Sequence, residues 1–239
     1  MRAAFGPGPW IVVSPHDDDA VIGMGLTIHA ASQQGVEVHI VVATNGALGY
    51  VHLSEREGLV ETRLAELAAS CAVVGVPGDR VHSFGFPDGS LAAHQGCRGP
   101  DESPTFAQRL VSLLREVRPS SVFVCTPGDV HPDHTIAATQ SDIACVWASG
   151  RIWLERGEPL PLPQRFHYAC YAPFDGDPEL EVQGVEAGLV AKVAAMRCFP
   201  SQGVIEPFIE QLRQEGPYEY FKRARTLGYS PSVYRGLFR

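Results

Sequence analysis

Short β-branched runs alternate with longer segments of helical period along the first 150 residues, and this alternation most constrains the fold. Trp10–Val13, Val36–Thr44, Arg80–Phe86 and Ser121–Cys125 read as buried strands. Between and after them, residues 20–34, 54–74, 105–117 and 133–148 read as helices, with Gly35 and Gly75 closing the first two. Strands alternating with helices predict a doubly wound α/β domain with a mostly parallel sheet flanked by helices. At 239 residues and 45% hydrophobic content, the chain can bury one sizeable core, so a single domain over 1–239 is expected. Beyond Gly150 the pattern weakens. A strand over 166–172, a helix over 187–198 and one or two further helices within 205–226 are expected there. The Pro-rich stretch 156–164 is too short to force a second domain.

Composition excludes several classes. With 19 Lys+Arg against 27 Asp+Glu, the net charge of −8 gives no broad basic footprint for nucleic acid. No stretch approaches the roughly 18 apolar residues of a spanning helix, and the first 19 residues lack the apolar region of a secretory signal. The six cysteines lie 20 to 28 residues apart with no C-x-x-C pair, as expected of reduced thiols in a cytoplasmic protein. Oligomeric state is left open.

In open α/β sheets ligands bind beyond the carboxyl ends of the strands. Here those ends carry reactive residues repeatedly. The first delivers His16-Asp17-Asp18-Asp19, the second Thr44-Asn45-Gly46, the third Pro87-Asp88-Gly89, and the fourth Asp129-Val130-His131-Pro132-Asp133-His134. A catalytic zinc takes three protein N/O ligands and keeps one position open. His16 and Asp19, three apart, could share one ion, and either His131 or His134 would complete the set. The other His would then be free for acid or electrophilic work, and a remaining carboxylate for general base.

The same residues resemble the PIG-L, or LmbE-like, zinc-dependent N-deacetylases. The motifs are His16-Asp17-Asp18-Asp19-Ala20 with Gly23-x-Gly25 downstream, Ala43-Thr44-Asn45-Gly46, Arg63-x-x-Glu66, Gly85-Phe86-Pro87-Asp88-Gly89, His131-Pro132-Asp133-His134, Lys192 and Ser201-Gln202. The resemblance implies a Rossmann-like fold and removal of an N-acetyl group from an N-acetylated sugar. It implies Zn2+, or another divalent metal, on His16, Asp19 and His134. Asp18 would act as base and His131 would stabilise the oxyanion or protonate the leaving amine. Asp133 would orient an imidazole, and Arg63 and Asp88 would face the substrate.

Two positions depart from the family pattern, Asp17 for Pro and Ala20 for Glu. Asp17 is then a candidate to replace the lost second carboxylate, and three consecutive Asp also admit a one-residue shift of roles. A metal-dependent hydrolase of a non-sugar amide or ester, or a non-catalytic sugar- or metal-binding relative, are the alternatives. On local grounds alone, Arg63 and Glu66 would form an i,i+3 surface pair and Asp88 would be a turn residue. Ile28 occupies the third glycine position of a dinucleotide loop, which argues against that reading of Gly23-x-Gly25. His29, His39, His52, His82, His94 and His167 have no partner pattern and are read as structural.

Overall fold

The computed structural model describes residues 1–203 and 205–224. In chain order the elements are α1 (Arg2–Phe5), β1 (Trp10–Ser14), α2 (Asp19–Gln33), β2 (Val38–Thr44), α3 (Leu59–Val73), β3 (Val81–Phe86), α4 (Phe106–Val117), β4 (Ser121–Cys125), α5 (Pro132–Ser149), β5 (Gln164–Tyr168), β6 (Leu180–Gln183), α6 (Glu186–Met196), α7 (Ile205–Glu215) and β7 (Tyr218–Arg223). They form a seven-stranded sheet of order β3-β2-β1-β4-β5-β7-β6. The first five strands are parallel, and β7 and β6 add antiparallel at one edge. This is the expected Rossmann-like α/β architecture.

Local chemistry explains the element boundaries. Every residue of β1, β2 and β4 is buried, as central parallel strands covered on both faces must be. Thr105 caps α4 in a reciprocal box with Gln108. His131 caps α5, with Pro132 at the first helical position. The chain runs from β1 outward through β2 to β3, then crosses back to β4 and β5. Adjacent strands β1 and β4 therefore feed connections in opposite directions, which opens a crevice at their carboxyl ends.

The C-terminal part differs from the sequence expectation. α7 ends at Glu215, Gly216 turns the chain at φ +95°, and 218–223 is a strand rather than helix; Thr226 lies outside the described residues. The strand β6 was not expected either. The expected strand over 166–172 occupies Gln164–Tyr168 instead, so Cys170 and Tyr171 lie beyond its end. The misleading residue in β7 is Glu219, whose charge hides the inward-facing period of two. It is 3% exposed, and the Lys192 ammonium lies 2.7 Å away.

The Glu219 carboxylate also fills a break in α2. Met24 leaves helical geometry (φ −146°, ψ 28°), and the freed Leu26 and Thr27 N–H groups donate to Glu219 at 2.8 and 2.9 Å. The two glycines of this segment make room. A Cβ on Gly23 would stand 2.3 Å from the Tyr168 ring, and one on Gly25 would stand 3.0 Å from Lys192. Gly23-x-Gly25 is thus a packing device. Among the described residues, no helix is long and apolar enough to cross a membrane.

Removing one partner of a buried ion pair leaves an uncompensated charge. Glu219→Ala, which also strands two backbone donors, is expected to destabilise the chain by about 3–5 kcal/mol, read from urea denaturation midpoints.

Candidate metal centre

The turn after β1 is held from within. Ser14 Oγ accepts from Ala20 N–H at 2.9 Å and donates to the His16 carbonyl. Pro15 O accepts from both Thr44 N–H and Thr44 Oγ, tying the end of β1 to the end of β2. His16 N–H donates to Asp19 Oδ2 at 2.7 Å, which folds the acidic run back over the start of α2.

His16, Asp19 and His134 then meet in a small triangle. His16 Nδ1 is 3.2 Å from Asp19 Oδ2, His134 Nε2 is 3.2 Å from the same oxygen, and the two nitrogens are 3.1 Å apart. Four-coordinate zinc with N/O bonds of about 2.0–2.1 Å holds its ligand atoms roughly 3.3 Å apart. The three donors therefore fit a tetrahedral divalent ion by chemistry and by spacing. Two other groupings, His16/His131/His134 and His16/Asp88/Asp133, also bring three donor atoms close enough to share an ion, with His16 Nε2 3.2 Å from Asp88 and 3.6 Å from Asp133.

Charge supports the fit. Burial opposes ionisation of Asp19, yet the imidazoles of His134 and His16 hold it well below the usual carboxylate range. Burial would also lower the His134 pKa, but Asp19 and Asp129 pull it far above the usual imidazole value. The surroundings thus call for positive charge at this point, and a proton and a metal cation are alternative ways to supply it.

Around the triangle lie the other sequence candidates. Asp18 is buried with no side-chain cap bond, and burial together with neighbouring Asp19 and Asp17 pushes it up to about 7. His131 Nδ1 accepts from Asp133 N–H at 3.2 Å, which leaves the proton of the neutral ring on Nε2. Burial and the nearby His16 and His134 keep that ring below the usual imidazole range.

Asp133 accepts from Gly89 and Leu91 N–H and stands 3.6 Å from His16 Nε2. Asp88 lies 3.2 Å from the same nitrogen and accepts from Leu48 N–H. Both carboxylates therefore face the His16 imidazole; for Asp88 this is a contact that the turn motif did not announce. Arg63 is buried on α3 with Nε 3.0 Å from Asp17 Oδ2, a close ion pair without hydrogen-bond alignment. Burial, with Asp19 adding to it and Arg63 opposing, raises Asp17 to about 6.

Several expectations need correction. Glu66 is not the surface partner of Arg63; it accepts from Ser201 N–H and Oγ at 3.0 and 2.6 Å. His39 and His82 do have partners. Their nitrogens meet at 3.0 Å, and Glu37 lies 2.9 Å from the far side of His39. Two site residues were missed. Asp129 stands 3.2 Å from His134 Nδ1, a position legible as a strand-end acid just upstream of a candidate ligand. Tyr171 packs its ring 5.4 Å from that of His134 and carries no motif.

At the switch point of this open α/β sheet two imidazoles and a carboxylate converge, a donor set that could hold a divalent ion. A sequence profile described as GlcNAc-PI de-N-acetylase matches residues 11–144, more than half of the chain, and the chain belongs to the PIG-L family. A 1D-myo-inositol 2-acetamido-2-deoxy-alpha-D-glucopyranoside deacetylase of Thermobifida fusca is 32% identical over 141 residues. That match covers 52% of this chain and 49% of the relative, so the chain spans about half the length of this curated relative. The conserved protein TT1542 from Thermus thermophilus shares the fold at TM-score 0.71 and 28% identity, covering 93% of this chain and 97% of that one. GalB, a 4-carboxy-2-hydroxymuconate hydratase from Pseudomonas putida KT2440, also has TM-score 0.71, at 18% identity over 92% and 97% of the two chains. The architecture alone does not select a reaction.

Outer carboxylates set the orientation and basicity of ligating imidazoles. Asp129→Asn is expected to weaken Zn2+ binding by about 10–100-fold, measured by competition with a chromophoric chelator, while His134→Ala removes tight binding altogether.

Proposed function

We propose that this chain is a zinc-dependent N-deacetylase that removes the acetyl group from an N-acetylglucosamine-containing conjugate. The observation that carries the reading is the His16/Asp19/His134 triangle, with the buried Asp18 adjacent to Asp19 in the chain and the His131 ring 4.6 Å from that of His16. Family membership and the sugar substrate named for the Thermobifida relative support it. A cytoplasmic location, read from the cysteine pattern, belongs to the same proposal.

His16, Asp19 and His134 would hold the ion. When bound, it supplies Lewis acidity toward the acetyl carbonyl and lowers the pKa of water at the site toward neutrality. Asp18 accepts the proton of the attacking water, the task of a buried carboxylate next in the chain to a metal ligand. His131 donates from Nε2 to the oxyanion of the tetrahedral intermediate, because its Nδ1 is engaged as an acceptor. Asp18 then returns its proton to the leaving amine, and acetate and the free amino sugar result. Asp88 and Asp133 hold the His16 ring, and Asp129 holds that of His134.

The two departures from the family pattern fit an active site. Ala20 is 1% exposed and its N–H donates to Ser14 Oγ, so the turn closes without a side chain from this position. Asp17 is directed to Arg63 rather than to an imidazole, and Asp88, Asp129 and Asp133 supply the outer carboxylates instead.

The test is acetate release from N-acetylglucosaminyl-inositol and simple N-acetylglucosaminides by the zinc-loaded protein. Asp18→Asn is expected to lower turnover by about 10²–10⁴-fold while still binding zinc. Absence of acetate release across the panel with zinc bound would sink the proposal.

A further inference from the structure

A cavity of about 590 Å³ opens between β3, α4 and the loop before β5, lined among others by Phe84, Phe86, His94, Arg109, Ser112 and Arg156. Its cationic groups lack counter-charges. Among the described residues neither Arg109 nor Arg156 has an ion-pair partner. Arg156 Nε and His94 Nδ1 are buried with no hydrogen-bond partner, and Arg156 Nη1 donates to Ser112 Oγ at the long distance of 3.5 Å. The Arg109 guanidinium lies 4.5 Å from the centre of the Phe84 ring and donates to the Phe84 carbonyl, so it is fixed in place without an anion. Burial works against its charge. Glu116, the one acid lining the cavity, is exposed, and its charge acts on His82. Buried donors without acceptors carry a desolvation cost that an incoming anion relieves.

The cavity also borders the metal centre through one chain segment. Phe84–Pro87 forms part of its wall and leads into Asp88, and His94 ends the short helical turn Leu91–His94. Between these two ends, Asp88 lies 3.2 Å from His16, and Gly89 and Leu91 N–H donate to Asp133. Residues 84–94 therefore meet the cavity at both ends and the metal centre in the middle.

We propose that this cavity is a second ligand site, for the phosphate group of a small molecule held by His94, Arg109 and Arg156, and that its occupancy steadies the 84–94 segment against the metal centre. Guanidinium forks match phosphate oxygens, and donors from three separate segments suit a tetrahedral oxyanion. Binding at this cavity does not depend on the deacetylase reading.

Calorimetry of phenyl phosphate against the zinc-loaded full chain is expected to show a site that Arg156→Gln and His94→Gln each weaken about tenfold or more, and that salt also weakens. Equal urea midpoints establish that the variants are folded. Benzoate, with two oxygens and a single charge, is expected to bind about tenfold more weakly than phenyl phosphate. In chelator competition, saturating phenyl phosphate should tighten zinc binding severalfold in the unaltered chain and leave Arg156→Gln unchanged.

Binding that both variants retain and that zinc removal abolishes places the anion on the metal and overturns the proposal. So does the absence of binding at millimolar phenyl phosphate. A preference for benzoate overturns the assignment to phosphate. Binding lost in both variants, with zinc affinity unmoved by the ligand, overturns the link to the metal centre.

Discussion

The structure depends on crowded carboxylates held at the carboxyl ends of β1 and β4. Asp17, Asp18 and Asp19 are consecutive and buried, and Asp88 approaches from the end of β3 and Asp129 and Asp133 from the end of β4. Like charges packed this closely out of water are unfavourable unless something positive stands among them. Arg63 answers part of that demand at Asp17. The rest falls on the point where His16, Asp19 and His134 converge, so the electrostatics of the acidic run and the geometry of the triangle call for the same cation.

The scaffold tolerates this arrangement because the strain is met elsewhere. Ser14 and Pro15 pin the turn through their own polar atoms, so the acidic run cannot unfold toward water without breaking contacts to α2 and β2. Behind it, α2 is broken at Met24 and repaired by Glu219, whose charge is met by Lys192. A helix interrupted one turn past its start would otherwise expose buried donors. The late segment of the chain thus completes the helix that carries Asp19, although it contributes none of the triangle.

Much of the fold was legible in the residues. The central strands announced themselves because both faces are covered and apolar runs result, and Gly35, Pro132 and Thr105 punctuated the helices by known backbone preferences. β7 was hidden because its inward Glu219 reads as a surface residue until Lys192 is placed against it. β6, four residues long at the sheet edge, has too short a pattern to declare itself. At the site, the His and Asp motifs were readable because chemistry demands those types at strand ends. The partners of Arg63, Glu66 and Asp88 were not, since Asp17, Ser201 and His16 lie far from them along the chain or on another segment.

By itself the sequence determined the alternation that makes a parallel α/β sheet and the residue types available at each strand end, because both follow from local periodicity and local chemistry. Tertiary structure decided which nitrogen faces which oxygen, that Asp129 rather than a neighbouring acid stands behind His134, and that Tyr171 joins the site at all. Those outcomes depend on the order of strands in the sheet and on how far each chain segment runs past its strand. No run of adjacent residues encodes either quantity.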